Sequence, residues 1–265
     1  MNDSEMASDH PENDREQTFL EHLVELRSRL IKACFAILVV LVCLLPFARK
    51  LYNLLATPML AQLPEGSSMI AIDVASPFLA PFKLSLLLSL IISIPVVLYQ
   101  LWAFVAPALF KKEKRLARPL LFSSVALFYL GCAFAYFVVF PLVFGFMTRV
   151  APEGVAVMTD ISRYLDFVIT LFLAFGITFE VPIATIILVA TGITTTEKLA
   201  KARPFIVVGA FALGMLLTPP DIISQTLLAI PMWLLYEVGI FFSKMLLPEK
   251  EAEQEAEQET DQATS

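Results

Sequence analysis

The sequence predicts an all-α polytopic membrane protein with six transmembrane helices, both termini on the cytoplasmic side and a short last pair of helices. Three observations carry that prediction. Apolar residues fill 58% of the 265 positions, and the mean hydropathy is +0.76, too apolar for a soluble domain with a polar surface. Charge-free runs of span length recur along the chain, and lysine and arginine collect on alternate loops.

The net charge of -6 belongs to the ends. Residues 1–20 hold six acids against Arg15, and residues 248–265 hold seven against Lys250, leaving 17 basic and 12 acidic residues between. The expected organisation is therefore a disordered acidic tail over 1–17, a six-helix membrane domain over 18–247 and a second disordered acidic tail over 248–265. The polar, acidic opening has no basic n-region and no A-x-A-like site, so a cleavable signal peptide is not expected. Cys34, Cys43 and Cys132 all fall in apolar runs without metal-ligand spacing, and are read as small core or lipid-facing residues.

The runs give the spans in order. Ala33–Ala48 follows Lys32, and its helix is expected to begin near Thr18, where Thr18 and Glu21 form a capping box. Leu84–Phe110 and Pro119–Thr148 are free of charge, and Phe167–Thr196 is interrupted only by Glu180. Each exceeds or approaches the roughly 20 apolar residues that a span requires. Pro204–Pro220 and Ile222–Ser243, the latter broken only by Glu237, make the last pair. They are separated by Thr218-Pro219-Pro220-Asp221, a helix stop and restart. The first of them is too short for an undistorted bilayer, so the pair forms either a re-entrant hairpin or two spans of a locally thinned bilayer; Lys198, Lys201 and Arg203 at one end and Lys244 at the other favour spanning.

Orientation follows from the basic residues. With the N-terminus inside, the cytoplasmic loops collect 14 of the 19 Lys and Arg residues, among them Lys111, Lys112, Lys114, Arg115 and Arg118, and the other side keeps five. That is a positive-inside bias. The outer segments near Tyr52-Asn53-Leu54-Leu55 and Met69-Ile70-Ala71-Ile72 are too apolar for free loops, and short amphipathic helices packed on the bundle are expected there.

Three places attract chemical interest. Near the N-terminus, Phe19, Leu23, Leu26 and Leu30 form an apolar helical stripe, with Glu21, Glu25 and Arg29 along another face. A plain i,i+4 pair between Glu25 and Arg29 accounts for that pattern. In the loop after the second span, Glu113 stands alone among five basic residues, and a carboxylate there can accept a bidentate guanidinium. Finally, Glu180 and Glu237 lie within apolar spans, where acids face the bundle interior or are neutralised, and where a functional role outweighs a packing one. There is no G-x-S-x-G, no H-E-x-x-H and no phosphate loop, and the two histidines offer no metal site, so an enzyme is not expected.

Several of these segments resemble a known family. His22-Leu23-Val24-Glu25-Leu26-Arg27-Ser28-Arg29-Leu30 is similar to that family's H-L-x-E-L-R-x-R-L opening. Asp73-Val74-Ala75-Ser76-Pro77-Phe78, the stretch from Pro95 to Leu109, Phe175-Gly176-Ile177-Thr178-Phe179-Glu180-Val181-Pro182 and Gly214-Met215-Leu216-Leu217-Thr218-Pro219-Pro220-Asp221 continue the likeness in order. Together they resemble the C subunit (TatC) family of the twin-arginine, Sec-independent protein translocase, over about residues 18–247.

The resemblance implies a multi-pass protein of the bacterial inner membrane that binds the twin-arginine signal peptides of folded cargo. It implies recruitment of the single-span subunits TatA and TatB, self-association in a complex, transport driven by the protonmotive force, and no cofactor. By position, Glu25 and Glu113 would receive the signal arginines, with Arg27 and Phe104 beside them, and Pro58, Glu180 and Asp221 fall on family-marked positions.

Two other classes remain open on residue patterns alone. One is a small proton-coupled secondary transporter relaying through Glu180 and Glu237, although no internal repeat supports it. The other is a structural scaffold. The topology itself is testable: cysteines introduced at Ser67 and Glu153 in a Cys-free background are expected to label from outside, and those at Lys112, Lys201 and Ser265 from inside. Outside labelling at Lys201 would end the six-span arrangement.

Overall fold

The computed structural model describes residues 11–60, 69–105, 117–143, 145, 159–217 and 222–247. These fold as α1 (Pro11–Leu44), a 3-10 turn, α2 (Ala48–Leu60), α3 (Ser76–Val105), α4 (Ala117–Phe134), α5 (Ile161–Thr178), α6 (Val181–Ala190), α7 (Thr196–Lys201), α8 (Arg203–Leu217) and α9 (Ile222–Leu246). Among the described residues, five stretches are long and apolar enough to cross a membrane, and Arg203–Met215 is a shorter apolar helix, six in all with α5 and α6 counted as one stretch.

Two stacked cores hold the bundle. Tyr52, Leu84, Phe140, Tyr164, Leu171 and Phe175 belong to the one at the end where α3 and α5 begin. Leu98, Trp102, Leu120, Ile186, Leu199 and Leu247 belong to the other. The second marks the end where α3 and α9 finish and where α4, α7 and α8 begin; it is called the basic end below, after the cationic residues that sequence places there. Large apolar side chains such as Phe35, Phe122, Phe137, Phe205 and Phe241 point outward on many sides, the arrangement expected of helices solvated by lipid.

Lipid offers no hydrogen bonds, so prolines within spans need local remedies. Pro95 removes the N–H that would have bonded to the Ile91 carbonyl, and the Tyr129 hydroxyl of α4 donates to that carbonyl instead at 3.1 Å. Ser85 donates back to the Pro81 carbonyl at 2.9 Å within α3. Pro182 ends α5 and restarts the chain as α6, with Phe179 and Glu180 in the intervening turn. Beyond Phe134 the chain continues from α4 into a π-helical turn at Ala135–Val139.

Glycines set the closest helix approaches. A Cβ at Gly131 of α4 would stand 2.6 Å from the Phe175 carbonyl oxygen, and one at Gly176 would stand 2.7 Å from the Phe128 ring, so α4 and α5 meet almost backbone to backbone. A Cβ at Gly239 of α9 would overlap Thr185 Oγ1 and lie 2.9 Å from Pro182 Cα on α6.

Three expectations are corrected. Helix α1 extends back to Pro11 rather than beginning near Thr18. Of the last two helices only α8 is short, with 15 residues, about 22 Å. Helix α9 has 25 residues because it runs on past its apolar part through Ser243 and Lys244. Helix α2 packs as expected through Tyr52 and Ala56, but Met69–Ile72 is extended and pairs with the start of α5. There Ile70 N donates to Thr159 O at 3.1 Å and Ile161 N to Ile70 O at 2.9 Å.

Gly239→Ala is expected to destabilise the protein by about 1–3 kcal/mol, the usual range for overpacking. Gly209→Ala, with nothing within 4 Å of its added Cβ, serves as the neutral control. Thermal unfolding in detergent compares the two.

Candidate functional site

At the basic end, α1 brings Glu25 and Arg29 to one face, one helical turn apart. Arg29 donates to Glu25 Oε1 from Nε at 2.9 Å and from its terminal nitrogen at 2.5 Å. Both bonds land on the same oxygen, and Oε2 has no partner among the described residues. The Glu25 side chain is 37% exposed, so this pair is a surface ion pair of small intrinsic worth. It does, however, hold a carboxylate in one rotamer with an oxygen available, and such an oxygen can accept a charged N–H donor. Arg27 is exposed on the same helix. Phe104 is half-buried in the last turn of α3, the helix against which α1 packs. Glu113 lies outside the described residues.

Glu180 occupies the turn between α5 and α6, flanked by Phe179 of one core and Ile183 of the other. The Ser124 hydroxyl of α4 donates to its Oε2, while Oε1 is buried with no partner among the described residues. A carboxyl group here ties α4 to the break ahead of Pro182. Glu237 has a different setting. Arg203 at the start of α8 grips it through a fork, Nε to Oε1 at 2.7 Å and a terminal nitrogen to Oε2 at 2.8 Å. Next to it, the Tyr236 hydroxyl donates to the Leu199 carbonyl at 2.8 Å. Tyr236 and Glu237 together lock α9 to α7 and α8 at the basic end, and the charge of Glu237 is met by Arg203 rather than shared with Glu180.

Pro58 lies in α2, with its side chain outside the described set, and Asp221 lies outside it altogether. Three polar contacts escaped the sequence reading. Gln225 of α9 donates to the Phe211 carbonyl of α8 at 2.7 Å; a lone amide in an apolar run was the available signal. Lys83 and Asp166 pair at 2.7 Å between α3 and α5. Asp160 caps α5 through Arg163 N and also accepts from Ile72 N, both at 3.2 Å. No group of three or more His, Cys, Asp or Glu side chains suited to a metal occurs among the described residues.

Residues 21–231 match the model of the family described as Sec-independent protein translocase protein (TatC). The chain is 59% identical over 228 residues to the Sec-independent protein translocase protein TatC of Escherichia coli K12, covering 86% of this chain and 88% of that one. Its likeness to the protein of the same description from Azotobacter chroococcum mcd 1 is 56% over 241 residues, covering 91% and 94%. A crystal structure described as the twin-arginine translocase receptor TatC superposes with a TM-score of 0.76 at 40% identity, covering 84% of this chain and 98% of that chain.

The Ser124–Glu180 contact predicts a ranking of substitutions. Glu180→Gln retains an acceptor for the Ser124 hydroxyl and is expected to keep most of the stability and transport activity. Glu180→Ala leaves that hydroxyl without its partner at a cost of about 1–3 kcal/mol, and Glu180→Lys is expected to fail. Thermal unfolding and a transport assay on the three variants check the order; a Gln variant that folds but does not transport would point to proton chemistry at Glu180.

Proposed function

Because the chain belongs to the Sec-independent protein translocase protein (TatC) family, we propose that it is the core receptor subunit of a twin-arginine translocase. In this reading it is a non-enzymatic component without a cofactor. It binds the twin-arginine signal peptides of folded proteins and recruits TatA and TatB for export driven by the protonmotive force. The domain of six passages sits in the bacterial inner membrane with its basic end and both acidic tails in the cytoplasm, the side favoured by the lysine and arginine bias.

The observation that carries this reading is the half-exposed Glu25 carboxylate, fixed by Arg29 through Oε1 and with no partner for Oε2 among the described residues. Glu25 receives one signal arginine and Glu113 the other, with Arg27 and Phe104 flanking the peptide. The surrounding cations repel basic peptides that lack a matched pair of arginines, which sharpens selection. An aromatic ring at the end of α3 offers the peptide's apolar stretch a surface. The competing proton-relay transporter is disfavoured by the Arg203–Glu237 ion pair, which commits one of its two acids to a structural contact.

Glu25→Ala and Glu113→Ala are each expected to weaken signal-peptide binding by about 1.5–3 kcal/mol, the range for a charge-assisted hydrogen bond. Glu→Gln is expected to be nearly as damaging, since charge is what is lost. Crosslinking of a twin-arginine signal peptide to the chain, with transport measured in parallel, reads both effects. Undiminished transport by the double variant would overturn the assignment.

A further inference from the structure

A groove of about 590 Å3 opens on the lipid-facing side of the bundle between α4, α6 and α9. Ser123 and Ala126 give it depth on α4, Ile183 and Ile186 line it from α6, and Phe242 is part of its α9 wall. Ser123 is the single polar residue of the lining. A volume of this size is in the range of small-molecule sites, yet its chemistry suits only a hydrocarbon.

Its length identifies the hydrocarbon. The lining runs from Pro119 to Leu130 on α4 and from Leu235 to Leu246 on α9. Each stretch rises about 16 Å along its helix, half of the roughly 30 Å hydrocarbon core and so the depth of one leaflet. A partner's transmembrane helix has to cross both leaflets, whereas the groove closes after one. An acyl chain of the leaflet at the basic end has the matching length and polarity.

The charge at its open end selects the headgroup. Arg118 immediately precedes Pro119 at the start of α4, and Lys244 precedes Met245 in the last turn of α9. Arg118 and Lys244 are exposed, and neither has an ion-pair partner among the described residues. Glu113 and the acidic tail from Glu249 are the opposing charges in sequence. Basic surroundings where helices meet the membrane interface favour anionic phospholipid headgroups. We propose that this groove is a binding site for one anionic glycerophospholipid, an acyl chain lying between α4, α6 and α9 and the phosphate held at headgroup depth by Arg118 and Lys244.

Native mass spectrometry of the full-length chain in mild detergent tests this, after incubation with phosphatidylglycerol or phosphatidylcholine of identical acyl chains. The expected result is one retained phosphatidylglycerol per chain, favoured about thirtyfold over phosphatidylcholine, the scale for two cations at a membrane surface. Filling the groove with Ala126→Phe is expected to remove retention of both lipids, and Arg118→Gln with Lys244→Gln to remove only the preference. Ala126→Leu and the charge pair keep the test readable if the larger side chain prevents folding. A folded, groove-filled chain that retains phosphatidylglycerol as the parent does would overturn the site, as would a preference untouched by the charge pair. So would photocrosslinks from position 123 that reach a single-span partner helix and never a lipid.

Discussion

Every backbone polar group in an apolar bundle must find a partner inside the protein, and the architecture of this chain turns on where proline denies one. At Pro95 the helix continues, because Tyr129 reaches across from α4 to the abandoned Ile91 carbonyl. At Pro182 it does not continue. The chain turns, α6 begins, and a glutamate is left at the start of a helix between two hydrophobic cores. Ser124 meets that glutamate, so the break and its polar remedy join α4 to the α5–α6 crossing. Proline thus both disrupts the ladder and decides which neighbouring helices are tied together.

Close packing completes what hydrogen bonding begins. Lipid is as apolar as leucine, so helices gain little by burying leucine against one another and depend on intimate contact. Gly131 and Gly176 let α4 and α5 approach at backbone distance, and Gly239 does the same for α6 and α9. The fork from Arg203 to Glu237 then fixes α8, the shortest crossing, to the long α9.

What the sequence discloses and what it withholds divide along distance in the chain. The spans are legible because hydropathy is a local property, and the Glu25–Arg29 pair is legible because a helix brings i and i+4 together. Tyr52 and Ala56 fit the expected packed helix beyond the first span, from composition alone. The Arg203–Glu237 pair joins residues 34 positions apart and depends on how two helices cross, which no periodicity encodes. Likewise the extended run at Ile70 has the composition of a packed helix, and its pairing with Asp160 appears only once α3 and α5 stand side by side. Of the candidate site residues, Glu25, Phe104, Glu180 and Glu237 acquire definite surroundings, while Glu113 and Asp221 fall outside the described residues.

Helix α1 packs chiefly on α3, and none of its described side chains belongs to either large core. Its attachment therefore differs in kind from that of the other long helices. Trading its contacts with α3 for contacts with lipid opens no cavity in either core. In the language of local stability, α1 is an arm whose release leaves the packing of both cores unchanged. A membrane protein that meets its ligands near the foot of such an arm can change its outline there without remaking its interior.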